Sequence, residues 1–207
     1  MILKRAGKLR RDQLMGPHET LLKRNRVLFL YGMIYNLPDR SDEFSPTNIM
    51  DSILALDSLS HEPIKLMIDT FGGQVATGLN LYDTMKLVSS PIYTIGRSCV
   101  SMGAILSAAG EIGHRYLFEN ARIMIHLPLG QVQGDAKEVE IQAREMEKTK
   151  NILVEILRKN GVNKSAEEIL RDIDREYWMT PKEAIDYGLA DKILTRDLWN
   201  ELLNKSK

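Results

Sequence analysis

Apolar residues along this chain follow two rhythms that take turns. Short continuous runs, Val27-Leu28-Phe29-Leu30, Ile64 to Ile68, Ile92 to Ile95 and Arg122 to Ile125, have the length and β-branched content of buried strands. Between them the apolar positions recur every three or four residues. Ile49, Ile53, Leu56 and Leu59 form one such series, Val75, Leu79, Tyr82 and Val88 a second, and Met102 to Ala109 a third of mostly small residues. Ser45 before Pro46 marks a helix start, because a proline in the first turn gives up an N–H that has no partner there. The polar stretch from Asn36 to Glu43 reads as a loop. Strand and helix in turn predict a largely parallel sheet covered by helices, with ligands gathering beyond the carboxyl ends of the strands.

The second half changes character. Asp135 and Glu138 open a stretch without Gly or Pro until Asn160-Gly161, which predicts a helix over about 136–159. At ~1.5 Å per residue it is roughly 36 Å long, too long to lie within a small domain. Its apolar Val139, Ile141, Met146 and Ile152 therefore call for a partner, and a second copy of the chain is the economical one. Ser165-x-x-Glu168 and Thr180-Pro181-x-Glu183 are capping boxes for two short helices, to about Ile173 and to Gly188, and Lys192 to Leu194 reads as a final strand.

Composition narrows the classes. Lys+Arg and Asp+Glu balance at 28 each in 207 residues, so no net charge points to nucleic acid or a membrane surface. The basic residues Lys4, Arg5, Lys8, Arg10 and Arg11 crowd the start, giving an expected mobile arm over 1–20 before one domain over 21–207. The single Cys99 excludes an internal disulfide and suits a reducing compartment. No apolar run reaches the ~20 residues of a spanning helix. Cytoplasmic placement is the expectation.

The candidate chemistry lies at the expected strand ends. Ser101, in Cys99-Val100-Ser101-Met102-Gly103-Ala104, stands between a strand and a helix of small residues. There a hydroxyl is accessible and the helix N-terminus favours negative charge. His126 ends the next apolar run, and its ring titrates in the range a general base needs. Gly72-Gly73 ends an earlier one, where a backbone N–H can approach an oxyanion without a Cβ in the way. The N–H of Met102 is the second candidate donor. His18, His61 and His114 sit in polar or terminal stretches and are assigned no role, and Ser98 lacks the Met-Gly that follows Ser101. Nothing has zinc-ligand spacing or a phosphate-binding glycine loop, so no metal or organic cofactor is expected.

Taken together, these residues resemble the proteolytic subunits of the Clp protease, the ClpP family, over roughly residues 20–195. The resemblance is densest at Ser101-Met102-Gly103-Ala104, Arg122 to His126 with Pro128-Leu129-Gly130, Gln133-Gly134, Glu140 to Glu145 and Glu183 to Asp191. It implies a crotonase-like α/β fold with a protruding handle over about 126–160. It also implies two stacked heptameric rings around a closed chamber, unfolded protein as substrate, and a separate AAA+ unfoldase docking on the end face. Ser101 would be the nucleophile, His126 the base, and Gly73 with Met102 the oxyanion hole.

Three departures stand out. The family's third triad member is an aspartate, and matching Arg175 and the aromatic beyond it puts Glu176 in that place, with Asp174 as fallback. The family's usual Ser-Pro-Gly-Gly is here Thr70-Phe71-Gly72-Gly73. The approach Gly96-Arg97-Ser98-Cys99-Val100 also differs from the family's run of small residues. The expected function is a serine endopeptidase. The alternatives are a non-catalytic or weakly active ring subunit assembling with an active paralogue and, more remotely, a crotonase-type acyl-CoA enzyme.

Overall fold

The structure is a computed structural model, and it describes residues 16–36, 43–128 and 133–204. Strands β1 (Val27–Ile34), β2 (Ile64–Gly73), β3 (Ile92–Val100) and β4 (Arg115–Ile125) lie side by side in chain order, all parallel. Helices α2 (Pro46–Leu59), α3 (Val75–Leu87) and α4 (Met102–Ala108) make the crossovers. Two short strands complete the sheet against β4: β5 (Tyr177–Met179) antiparallel to its end, and β6 (Lys192–Ile193) parallel to its beginning. The expected α/β architecture is thus present, with each crossover helix starting where the sequence placed it.

The register shifts once in each parallel pair: between Gly32 and Met33 in β1, between Ile68 and Asp69 in β2, and between Gly96 and Ser98 in β3. Beyond these shifts the strands run on toward their carboxyl ends. β2 and β3 are longer than their apolar runs, because the polar residues past the shifts remain in the ladder.

Helix α5 (Ala136–Lys159) has the expected bounds, and Asp135 caps it by accepting from the N–H groups of Lys137 and Glu138. Only its last turns are buried, at Leu153, Val154, Ile156 and Leu157. Val139, Ile141 and Ile152 are exposed and Met146 is half-buried, so the described residues leave that face uncovered. One side chain ties the buried end to two other helix ends. The Arg115 guanidinium donates to Ala108 O, Asn160 O and Gly188 O, which terminate α4, α5 and α7 (Pro181–Tyr187), and pairs with Asp191 at 2.6 Å. A cation at three helix C-termini meets three sets of unpaired carbonyls at once.

The remaining helices are α1 (Pro17–Asn25), α6 (Ala166–Asp172) and α8 (Arg196–Asn204). Both capping boxes form as written in the sequence, at Ser165/Glu168 and Thr180/Glu183. Two helices depart from the reading. α1 starts at Pro17, inside the segment expected to be an arm; residues 1–15 of that arm lie outside the described residues. It has no buried residue, hence no apolar face to announce it. α8 was missed although Leu198, Trp199, Leu202 and Leu203 carry helical spacing; these residues cover the second face of the sheet over Val27, Phe29, Met67 and Ile95.

Candidate active site

β3 and α4 meet at Ser101 in a turn too tight for ordinary backbone. Ser101 has φ 57 and ψ −121, one of two described non-glycine residues at positive φ. Such a conformation costs on the order of 1–3 kcal/mol and persists only where its surroundings enforce it. Here Ser101 N donates to Met124 O at 2.8 Å, tying the turn to β4, and Ala104 N donates to Ser101 O at 2.9 Å. Every residue of α4 is buried, so the serine rests on packed core.

His126 is the first residue past β4. Its Nε2 lies 2.8 Å from Ser101 Oγ, the distance at which a neutral ring accepts the hydroxyl proton. Burial lowers the His126 pKa from its ordinary value, while the negative charge of Glu176 works in the opposite direction. The sequence-predicted nucleophile and base, 25 residues apart in the chain, are therefore in contact.

The carboxylates approach from β5. Its antiparallel register pairs Met124 with Trp178 and Ile125 with Tyr177, and Glu176, the next residue, lies close enough to His126 for its charge to act on the ring. Leu127 N donates to Ile173 O at 2.8 Å, holding the two segments together. The Glu176 carboxylate accepts from Trp178 Nε1 at 2.9 Å, and among the described residues none hydrogen-bonds His126 Nδ1. Asp174 is exposed, its carboxylate 3.8 Å from Arg175. Asp172 is engaged elsewhere, by Lys164 at 2.7 Å and Tyr187 Oη at 2.9 Å. The sequence reading missed Trp178. Its only signal is position, since residues i and i+2 of a strand share a face.

On the opposite side, the end of β2 passes against the serine turn. Gly72 and Gly73 have φ 87 and 151. A Cβ on Gly72 would stand 2.8 Å from Ser101 Cβ and 3.0 Å from Met102 N, so only glycine allows this approach. The N–H groups flanking Gly73 are both occupied, Gly72 N by Thr70 Oγ1 at 3.0 Å and Gln74 N by Ile34 O at 2.8 Å. Cys99 is fully buried beside Ser107, and burial pushes its thiol up to about 12, which fits a packing residue.

A small apolar cleft opens beside Ser101 and His126, walled by Val75, Ile105, Ile125, Leu153, Leu157 and Ile173. The buried end of α5 thus forms part of the site. Periodicity predicted that helix without revealing which neighbour its last turns would meet.

Residues 12–197 match the Clp protease family. The chain is 40% identical over 185 residues to an ATP-dependent Clp protease proteolytic subunit of Carsonella ruddii (strain PV), covering 88% of this chain and 90% of that one. It is 38% identical over 179 residues to the chloroplastic ATP-dependent Clp protease proteolytic subunit 4 of Arabidopsis thaliana, covering 86% of this chain and 59% of that one. With nearly its whole described length matched, from α1 through β6, the chain belongs to the Clp protease family, a family of serine proteases.

Proposed function

We propose that this chain is an active serine endopeptidase subunit that cleaves unfolded polypeptides within an assembled ring. The observation that carries the reading is the 2.8 Å contact between His126 Nε2 and Ser101 Oγ at a serine held in a strained turn. In the reaction, Ser101 Oγ attacks the peptide carbonyl carbon and its proton passes to His126 Nε2. Negative charge then develops on the carbonyl oxygen, where the N–H groups of Gly73 and Met102 would receive it. The C–N bond breaks, the departing amine takes the proton from His126, and water repeats the sequence on the acyl-serine. Glu176, whose charge acts on the ring, is favoured over Asp174 for orienting His126. The apolar cleft suits an apolar side chain next to the scissile bond.

The relatives' names support partnership with an ATP-driven component, here proposed as an AAA+ unfoldase delivering extended chain. Assembly as stacked heptameric rings, with the uncovered face of α5 between them, and cytoplasmic placement belong to the same proposal. No helix among the described residues is long and apolar enough to cross a membrane.

A second reading, a weakly active subunit relying on a paralogue, is favoured by one observation: Glu176 is bonded to Trp178 and not to His126. Labelling with a serine-reactive phosphonate separates the two. The first reading expects a Ser101 adduct from the purified chain alone, together with peptide cleavage that Ser101→Ala abolishes. No adduct without an added paralogue overturns it.

A further inference from the structure

The turn that brings Gly72-Gly73 to the serine contains a β-bulge. Gly32 pairs with Thr70 and Met33 with Gly72, so Phe71 is the extra residue, and its side chain is 66% exposed. A bulge interrupts the ladder and strands the backbone groups on either side of it. Here both are taken by one hydroxyl. Thr70 Oγ1 donates to Gly32 O across the strand pair and accepts from Gly72 N at 3.0 Å beyond the bulge. A hydroxyl has one proton to give and lone pairs to receive, so both bonds form together. Thr70 is also 1% exposed, and its methyl faces Gly103, where an added Cβ would lie 2.5 Å from Thr70 Cγ2.

We infer that Thr70 is a positioning residue for the oxyanion hole: its hydroxyl sets the orientation of the Gly72-Gly73 peptides, while its methyl only packs against the start of α4. The residue thus touches the supports of both candidate donors, Gly73 on one side and Met102 on the other. With Phe71 at the bulge, no pyrrolidine ring fixes φ there. The rigidity must come from hydrogen bonds, and Thr70 makes the two that span the bulge. The inference rests on the proposed role of Gly73 and Met102 as donors.

Thr70→Val keeps the shape and removes the hydroxyl, and Thr70→Ser keeps the hydroxyl and removes the methyl. A misaimed donor should act on the transition state more than on binding. In the assembled protein, kcat for a fluorogenic peptide is measured per active site titrated with the phosphonate, so misfolded subunits are not counted. Thr70→Val should lower kcat roughly 10- to 100-fold with KM little changed, by the sensitivity of such donors to ~1 Å displacements. Thr70→Ser should stay within about threefold, since the clamp survives. Should Thr70→Val not fold, Thr70→Cys, whose thiol is a poorer donor and acceptor, should show the fall instead. An unchanged kcat per site in the hydroxyl-less variant, or a loss in Thr70→Ser as large as in Thr70→Val, overturns the inference. Cleavage that depends on Ser101 but ignores Thr70 would remove this inference alone. Cleavage that persists in Ser101→Ala would remove the proposed function itself.

Discussion

The two halves of the candidate site are built from different material. Ser101 and His126 stand at the ends of β3 and β4, strands flanked on both sides and packed between helices and core. Glu176 stands at the start of β5, a three-residue strand with a neighbour on one side only, and Asp174 lies beyond it on the surface. Core strands have one register that buries their apolar faces, so the proposed nucleophile and base are fixed by the same energetics that hold the protein folded. A rim strand is fixed by a few ladder bonds, and its exposed carboxylate can satisfy itself locally, as Glu176 does with the Trp178 indole. The same contrast runs through α5, whose last turns are buried in the cleft wall while Val139 and Ile141 face outward.

Four experiments test the contrast, from the largest expected effect to the smallest. Ser101→Ala should reduce kcat on an unfolded substrate by about 10⁶, to background, with the fold intact by circular dichroism. Measurable turnover above background would place the chemistry elsewhere. Next, Glu176→Gln should lose on the order of 10⁴ in kcat, and Asp174→Asn should change it less than about twofold. The reverse ranking would transfer the orienting role to Asp174. Equal, small effects would mean that the rim half contributes nothing and that His126 is held by other means.

The two ends of α5 should fail differently. Leu157→Ala removes buried side chain from the cleft wall and should cost about 2–5 kcal/mol in chemical denaturation. Ile141→Asp lies on an exposed face and should change subunit stability by less than about 0.5 kcal/mol. Yet it should break the assembly into smaller species in sedimentation velocity and lose peptidase activity with it. A dissociated variant with full activity would uncouple the site from assembly.

The smallest effect concerns pH. In its proposed role His126 is a base only when neutral, so activity should fall as pH drops through its pKa, which burial already lowers. The Glu176 charge favours the imidazolium and raises that pKa. Glu176→Gln should therefore move the acid limb of the kcat/KM profile to lower pH. A limb that stays in place or moves to higher pH would show that the carboxylate does not sense the imidazole.

The chain by itself determined a good deal. Period and capping residues placed α2 to α7 and the beginnings of β1, β2 and β3, because apolar spacing, Ser45-Pro46, Asp135 and the two capping boxes act over a few residues. The same local signals placed Ser101 at a strand-to-helix junction and His126 at a strand end. α1, without a buried face, and three-residue β5 carried too little periodic signal to be read. What only the tertiary structure decided are relations across the sheet: the 2.8 Å contact from His126 to Ser101, the register that sets Tyr177 of β5 opposite Ile125, and the bulge at Phe71 with its Thr70 hydrogen bonds. Each depends on which residue of one strand stands opposite which residue of another. That choice is made by the burial of whole faces at once, and no stretch of sequence contains it alone.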